Sequence, residues 1–445
     1  MQLNITDTFQ CDVAVFGGGP AGFCAAVAAA RVGARTMLFE QSGMLGGNMT
    51  QGGIPAPALF HAHGKQVIAG IGWELMTALA KRGCASLPQP PFIGPHPVMG
   101  VELNAFEAAW QMDQMACEAG VQLMFHQKAV AAQSEDGCVT GVVVSGPSGL
   151  KVVHAGVYVD CTGSASIAHM AGAACELGED LQPGSLNVTL AGFDPTALDP
   201  DVMDASYRAA LADGRLLPGD VWSSLTQTFT LRKGRGRGYH GQPICELNPG
   251  SNVNHVYPLN DVDDLSRTEG ELQGRNRLHR MITWLRTSVP GCENAYIAAC
   301  SPAVAARESR RIVGEAYITA EDYLHSERTE DAVCYSYYPI DLHTGNEEKG
   351  LVNMYHDDQH VPRIPYGALI PRGYRNLLVA GKTISGDRLA QSAYRIQATC
   401  MATGQAAGTA AALSLGQDCR RLDVAQLRRT LHEAGAMIPG LTELA

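Results

Sequence analysis

The sequence lacks the patterns that mark several common classes of protein. Lysine and arginine number 33 against 44 aspartate and glutamate residues, which gives a net charge of −11. A chain without a basic excess is a poor match for the phosphate backbone of nucleic acid. The longest apolar runs, such as "CAAVAAA" and "GTAAALSL", are too short to span a bilayer. We therefore predict that neither nucleic acid nor a membrane is a partner.

Paired cysteines are missing as well. The 13 cysteines are scattered and form no C-x-x-C or C-x-x-x-x-C motif, which argues against disulfide-reductase chemistry and favours reduced core thiols. The opening residues "MQLNITDTFQ" contain no basic region followed by an apolar run, so we expect no secretory signal and a cytoplasmic location. His61 and His63 have no accompanying carboxylate or cysteine cluster, and we predict no metal site.

A glycine-rich turn lies near the beginning of the chain, between an apolar strand at 12–16 and an alanine-rich helix at 20–32. Gly17, Gly19 and Gly22 form the motif G-x-G-x-x-G there. The first glycine permits a tight turn, the second lets a pyrophosphate approach the backbone, and the third lets the helix pack on the strand. Glu40 follows a second strand at 35–39, where it can hydrogen-bond the ribose hydroxyls. The pattern predicts a dinucleotide site.

A second glycine-rich segment favours FAD over NAD as that dinucleotide. "GMLGGNMTQGGIP" begins at Gly43, directly after the ribose acid. A plain NAD dehydrogenase has no use for such a loop, whereas a flavoprotein must extend along the pyrophosphate and ribitol before it reaches the isoalloxazine ring. The middle of the chain contains no second G-x-G-x-x-G after a strand, which disfavours a separate NAD(P)H domain.

Two later segments have the pattern of further cofactor-binding elements. Residues 128–155 are predicted to form a three-strand meander, followed by a strand at 157–160 that ends in "DCTGSAS". Near the other end, a strand at 376–380 precedes Gly381 and a small-residue helix at 399–415. Such a helix can lie close to a sheet and direct its N-terminal amides towards the pyrimidine edge of a flavin.

The tail "NLLVAGKTISGDRLAQSAYRIQATCMATGQAAGTAAAL" resembles that of a bacterial family of FAD-dependent oxidoreductases, within the glutathione-reductase/succinate-dehydrogenase-like superfamily. "RESRRIVGEAYITAEDY" and "YPIDLH" are similar to internal blocks of that family, and the resemblance is weakest at about 195–245. It implies FAD as cofactor but no particular substrate. The predicted cofactor contacts are Gly17, Gly19, Pro20, Ala21, Gly22, Glu40, Gln41, Gly46, Gly47, Asn48, Gln51, Gly52, Gly53, Val130, Thr162, Gly163, Gly381, Ala398, Thr399, Cys400, Met401 and Ala402.

The predicted fold class is α/β, with a Rossmann-like FAD-binding domain whose parallel sheet carries a β-meander and with an inserted α+β substrate or cap domain. The FAD-binding domain is assigned to 1–175 and 365–420, the insert to 176–364 and a helical tail to 421–445. In the insert, helices are predicted at about 200–216, 265–286 and 301–323.

Five residues are candidates for catalysis, because a flavin needs groups that bind the substrate and move protons. They are Arg395, which can bind a substrate carboxylate or the reduced flavin, and His255, His343, Arg307 and His61. Arg307 and Arg311 are expected to share one face of the helix at 301–323. A basic loop at 232–237 is an alternative anion site, and a structural role is open for every one of these residues.

The sequence predicts hydride transfer between flavin N5 and a small polar, possibly anionic, organic molecule. One alternative is the reduction of an activated C=C bond, as in fumarate-reductase relatives. Another is a flavin-binding partner subunit without turnover. A separate electron acceptor or donor and a homo-oligomeric state are both compatible with the sequence.

Overall fold

The computed structural model describes residues 5–93, 99–194, 196–221, 254–344, 351–356 and 359–444. The basic loop at 232–237 lies outside these ranges. The strands of the described residues, β1 to β19 in chain order, are Ile5–Phe16, Thr36–Phe39, His61–Ala62, Lys65–Gln66, Ala85–Ser86, Glu102–Leu103, Gln122–Met124, Lys128–Glu135, Cys138–Gly146, Gly149–Asp160, Cys175–Glu176, Val188–Ala191, Tyr296–Cys300, Arg311–Ile312, Ala332–Tyr335, Ile340–His343, Leu351–Met354, Arg363–Pro365 and Leu377–Val379.

Helices alternate with these strands through most of the chain. The α-helices of the described residues, α1 to α10, are Pro20–Arg31, Ile71–Lys81, Ala105–Glu118, Ser166–Met170, Pro200–Ala212, Asp264–Ser288, Ala320–His325, Arg388–Tyr394, Gln397–Leu413 and Val424–Glu433. Short 3₁₀ helices span Gly47–Met49, Tyr366–Leu369 and Cys419–Arg421. No helix within the described ranges combines the length and the apolar character needed to cross a bilayer.

The main sheet has seven strands in the order β7-β2-β1-β10-β9-β8, with β19 paired to β10. The pairs β7–β2, β2–β1, β1–β10 and β10–β19 are parallel, whereas β10–β9 and β9–β8 are antiparallel. Because β19 comes from the far end of the chain, segments from both ends of the sequence contribute strands to one sheet. The predicted α/β class, with its Rossmann-like sheet and meander, is confirmed.

One predicted break in this sheet is wrong. Residues 149–160 form a single strand that serves both as the third strand of the meander and as an interior strand of the parallel sheet. Its first part pairs with β9, and its last residues, Tyr158–Asp160, pair with β19. The strand is continuous because β1 supports it along its length, from Ile5 opposite Leu150 to Phe16 opposite Asp160.

A second hydrophobic core lies in the inserted part of the chain. Its buried side chains run from Leu186 to Val304, and α6 contributes Met281 and Trp284 among them. Residues between Ile318 and Ile370 instead pack into the core of the first domain. The second core is therefore narrower than the predicted insert at 176–364, and the exact domain limits stay a prediction.

The predicted helix at 301–323 is wrong over most of its length. Its backbone amides donate to distant carbonyls: Ala305 to Ser185 at 2.8 Å, and Ile312 to Thr383 at 3.0 Å. Only α7 at its end is helical, and a reciprocal capping box between Thr319 and Asp322 begins it. The helical face predicted to hold Arg307 and Arg311 together does not exist, because the backbone amides of this segment donate to carbonyls far away in the chain.

Candidate functional site

The first glycine-rich turn places its three glycines in three different environments. Gly17 has φ +94°, and a Cβ there would lie 2.4 Å from the Cys161 carbonyl oxygen. A Cβ on Gly22 would lie 1.7 Å from the Gly17 carbonyl oxygen. A Cβ on Gly19 would meet no atom within 4 Å. Gly17 and Gly22 therefore allow close packing of strand and helix, whereas Gly19 leaves space in front of the N-terminus of α1.

Glu40 lies beside this turn and helps to shape it. Its Oε2 accepts the Gly18 amide at 2.6 Å, and its Oε1 accepts both the amide and the hydroxyl of Ser42, at 2.8 and 2.6 Å. The side chain is buried at the end of β2. Oε2 accepts one of these bonds and keeps a second lone pair, so Glu40 can accept a ribose hydroxyl there while it fixes the turn.

The second glycine-rich segment folds back onto the first. The Gly46 amide donates to the Gly18 carbonyl at 2.8 Å, and a Cβ on Gly47 would lie 3.1 Å from the Gly19 Cα. Gly46 itself has φ +100°, a conformation that favours glycine. The two loops therefore meet at a place where side chains would keep the backbones apart.

Both loops open into a cavity of about 920 Å³, which also extends to the inserted part of the chain. Of the predicted cofactor contacts, those that line it are Gly17, Gly19, Pro20, Ala21, Glu40, Gln41, Gly47, Asn48, Gln51, Gly52, Val130, Thr162, Gly163, Gly381 and Cys400. Those that stand outside its lining are Gly22, Gly46, Gly53, Ala398, Thr399, Met401 and Ala402. The volume is in the range of ordinary ligand sites.

Two groups on the wall of this cavity, and one buried acid beside a residue that lines it, were not predicted from the sequence. Lys382 directly follows Gly381, and its ammonium donates to the Ala306 carbonyl at 2.8 Å, 4.0 Å from the Asp261 carboxylate. Lys382 and Asp261 both line the cavity. Asp160, fully buried at the end of β10, accepts the amide and the hydroxyl of Thr162 at 3.0 and 2.7 Å. An acid at the carboxyl end of a predicted central strand was the available signal for Asp160.

Helix α9 borders the cavity with its first turns. Cys400 lines the cavity, and Gln397, one of its neighbours there, donates to the Ile54 carbonyl at 2.9 Å. The helix was expected to lie on the sheet, but its closest partner is α1. A Cβ on Gly404 would lie 2.1 Å from the Ala21 carbonyl oxygen, and one on Gly408 would lie 2.0 Å from that of Ala25. Small residues on both helices make this approach possible.

Four of the five predicted catalytic residues come together next to this cavity. Arg395 lines the cavity, and its Nη2 donates to the backbone carbonyl of Asp341 at 3.3 Å. The rings of His255 and His343 are 5.2 Å apart, and His343 Nε2 lies 3.4 Å from the Asp341 carboxylate. Arg307, the fourth, donates to the Ser185 hydroxyl at 3.1 Å, and that hydroxyl donates at 2.8 Å to the carbonyl of Asn254, the residue before His255. The four residues come from separate segments of the chain.

No role for Asp341 was predicted from the sequence, although it lies in the block "YPIDLH". It stands two residues before His343 on β16, so the two side chains share one face of the strand. Its carboxylate lies between His343 and Arg395, 3.7 Å from the guanidinium of Arg395. An acid two residues before a predicted strand histidine was the signal that could have found it.

Burial and the neighbouring charges set the protonation states in this cluster. Burial and the Arg307 guanidinium lower the pKa of His343 to about 4 against the opposing effect of Asp341. Burial and Arg307 also lower the pKa of His255 to about 2. Burial acts to raise the pKa of Asp341, but His343 and Arg395 outweigh it and bring that pKa to about 2. At neutral pH the cluster therefore holds neutral imidazoles and an ionised carboxylate.

His61, the fifth candidate, lies elsewhere. It is buried in β3, where its ring stacks on Phe92 at 4.1 Å between centroids and meets Trp73 edge-on at 5.2 Å. Burial lowers its pKa to about 4. It is not among the residues that line the cavity, and its catalytic role stays a prediction.

The geometry fits a bound FAD. Gly19 leaves open space where a pyrophosphate would approach the free amides of α1. Glu40 lines the same cavity. The first turn of α9, with Cys400, borders the same cavity from the closing part of the domain. Residues of the two glycine loops and of the α9 N-terminus would together hold the dinucleotide.

A family model described as FAD dependent oxidoreductase matches residues 12–431. Thiamine thiazole synthase of Methanothermobacter thermautotrophicus is 29% identical over 157 residues, which cover 35% of this chain and 53% of that protein. Digeranylgeranylglycerophospholipid reductase 2 of the same organism is 27% identical over 241 residues, 52% of this chain and 57% of that protein. The chain thus spans about half the length of these curated relatives. Among solved structures, Aquifex aeolicus GidA superposes with a TM-score of 0.47 at 15% identity, over 91% of this chain and 63% of that one.

Proposed function

We propose, from the premise that this chain belongs to the family of FAD-dependent oxidoreductases, that it transfers a hydride between a carbon atom of a small polar organic substrate and its flavin. The protein is an enzyme with FAD as its cofactor, which sets aside the alternative of a flavin-binding subunit without turnover. Bound FAD supplies the hydride-transfer chemistry at its N5 atom. The substrate and the direction of the reaction are the proposed part.

The observation that carries this proposal is the buried polar cluster of Arg307, Arg395, His255, His343 and Asp341. It adjoins the dinucleotide cavity through Arg395, which lines that cavity and contacts Asp341. The segment that leads to Arg307, residues 302–306, lines the cavity as well. A substrate placed in this cluster would meet cationic, neutral and anionic groups within one small region.

Each residue of the cluster has a role that follows from its state. His343 is neutral at pH 7 and can accept the proton that a substrate loses when its C–H bond is oxidised. Asp341 orients that imidazole from 3.4 Å and stabilises its protonated form. Arg395 provides two donors in a planar fork for an oxygen atom of the substrate. In the reverse direction, the protonated His343 would deliver the proton.

Reduction of an activated C=C bond is the second candidate. Two arginines in one buried cluster can bind and polarise a conjugated acid, and one relative of this chain bears the name of a reductase. The two candidates use the same residues but run in opposite directions. An electron donor would be needed for reduction and an acceptor for dehydrogenation, in both cases supplied by another molecule.

The test uses the purified FAD-loaded protein under anaerobic conditions. Hydroxy acids, amines and enoates are added in turn, the enoates after photoreduction, and flavin absorbance reports reduction or reoxidation. We expect one class to change the flavin and His343→Gln to slow that change without lowering FAD content. His154→Gln, which alters an exposed histidine on β10 outside the cavity lining, is the matched control. Equal rates in the two variants would contradict the assignment of His343.

A further inference from the structure

Arg307 is a buried cation, and the hydrogen bonds that its guanidinium makes to described residues go to neutral groups. Its guanidinium donates to the Pro183 carbonyl and, at 3.1 Å, to the Ser185 hydroxyl. The residue is 8% exposed. Within the described part of the chain, no carboxylate lies within ion-pair distance of Arg307. Burial and the nearby Arg395 lower the pKa of Arg307 to about 9, which still leaves it charged at neutral pH.

Among the described residues, the charges around Arg307 do not balance. Arg395 adds a second positive charge, and Asp341 is the carboxylate that Arg395 contacts, at 3.7 Å. His255 and His343 are neutral at pH 7, as their lowered pKa values show. The cluster therefore carries two positive charges and one negative charge, although the whole chain is acidic, with a net charge of −11. A buried charge without a partner is costly.

The next buried carboxylate along the chain cannot supply the missing negative charge. Glu308 accepts from Arg311 at 3.3 Å and from Arg388 at 3.0 Å, and it also accepts the Gln182 amide at 3.1 Å. It is already surrounded by two arginines of its own. The dinucleotide does not explain Arg307 either, because Arg307 does not line the cavity that fits it.

We propose that the substrate carries a carboxylate group and that Arg307 and Arg395 bind it next to His343. This inference rests on the proposed function in taking the cluster as the substrate site. A carboxylate matches the planar guanidinium fork, and its single negative charge equals the excess of one positive charge. Phosphate, with a charge closer to −2, would leave an excess of the opposite sign. A bound carboxylate would also raise the pKa of His343 towards neutrality, where it serves better as a proton acceptor.

The test measures binding rather than turnover. The FAD-loaded protein is titrated with acetate, malonate and succinate, each beside its uncharged amide and beside inorganic phosphate, and the flavin difference spectrum and calorimetry report binding. We expect at least one carboxylate to bind and its amide not to bind. Arg307→Met should weaken that binding by roughly 10- to 100-fold, which is the loss of one charge-assisted contact.

A variant with the opposite sign sharpens the test. Asp341→Asn removes the negative charge that competes with the ligand, so carboxylate binding should become tighter by roughly 3- to 10-fold. Arg372→Met, which removes an exposed arginine, should leave binding unchanged. FAD content and the unfolding midpoint are checked for each variant. If Arg307→Met does not fold, Arg307→Lys, which keeps the charge and loses the planar fork, should also weaken carboxylate binding. The tighter carboxylate binding expected in Asp341→Asn can be measured independently of both variants.

The outcomes separate this inference from the proposed function. Carboxylate binding that depends on Arg307 and tightens in Asp341→Asn supports the site, even where no tested compound changes the redox state of the flavin. The inference is overturned if no carboxylate binds, if amides or phosphate bind equally well, or if Arg307→Met and Arg372→Met behave alike. If an uncharged substrate reduces the flavin and no carboxylate binds, the proposed oxidoreductase function is supported and the inference of a carboxylate substrate is rejected.

Discussion

Gly19→Ala should separate cofactor binding from folding. Gly19 has φ −66° and ψ −175°, which alanine adopts without strain, and a Cβ there would meet no atom within 4 Å. Replacing glycine by alanine at such a position stabilises a protein by roughly 0.4–1 kcal/mol, because the unfolded chain loses freedom. We therefore expect the FAD-free protein to become slightly more stable.

The same methyl group should weaken FAD binding. It would occupy the open space in front of the α1 N-terminus, where the backbone must approach the pyrophosphate. Loss of one charge-assisted hydrogen bond costs about 1.5–3 kcal/mol, which corresponds to roughly a 10- to 100-fold weaker FAD affinity. Gly19→Val, with a branched side chain, should abolish binding.

The assay combines FAD titration with denaturant unfolding of the FAD-free protein. Gly22→Ala is the matched comparison, because its Cβ would lie 1.7 Å from the Gly17 carbonyl oxygen and must destabilise the fold itself. An unchanged FAD affinity in Gly19→Ala would refute the placement of the pyrophosphate. If FAD-free Gly19→Ala unfolded at as low a denaturant concentration as Gly22→Ala, the open space at Gly19 would be refuted.

Three further predictions concern other parts of the chain. Arg395→Lys keeps the charge but loses the planar fork, so turnover should fall by roughly 10- to 1000-fold. If the FAD content of this variant stays intact, the partner of Arg395 is the substrate. If turnover is unchanged, Arg395 has only a structural role. The pKa of His61 falls from 6.5 to about 4 on folding. Between these pH values the unfolded chain binds a proton that the folded protein does not, so the unfolding free energy decreases as pH falls from 6.5 towards 4. His61→Phe, which keeps a ring against Phe92, should remove up to about 3 kcal/mol of that loss, measured as unfolding free energy against pH, and an unchanged pH dependence would contradict the burial argument. Gly408→Ala should lower the unfolding free energy by about 1–3 kcal/mol, because its Cβ would lie 2.0 Å from the Ala25 carbonyl oxygen; a wild-type denaturation curve would show that the α1–α9 contact is loose.

The substrate cluster could be predicted from the sequence only in pieces. Residue type and local pattern make His255, Arg307, His343 and Arg395 catalytic candidates, but the same patterns leave a structural role open for each of them. Their assembly depends on contacts between segments that are far apart in the chain. Asp341, which links His343 to Arg395, gains its importance only from that assembly.

The sequence by itself determined the fold class and the dinucleotide-binding turn. Strand, glycine turn, helix and ribose acid occupy about thirty consecutive residues, and their conformations follow from local requirements such as the positive φ of Gly17. The tertiary structure alone decided that residues 301–319 are not helical, because backbone amides among them pair with Ser185 and Thr383. It also decided that α9 packs on α1 and that the second core is confined to residues 186–304. Pairing and burial depend on partners distant in sequence, and no local pattern specifies those partners.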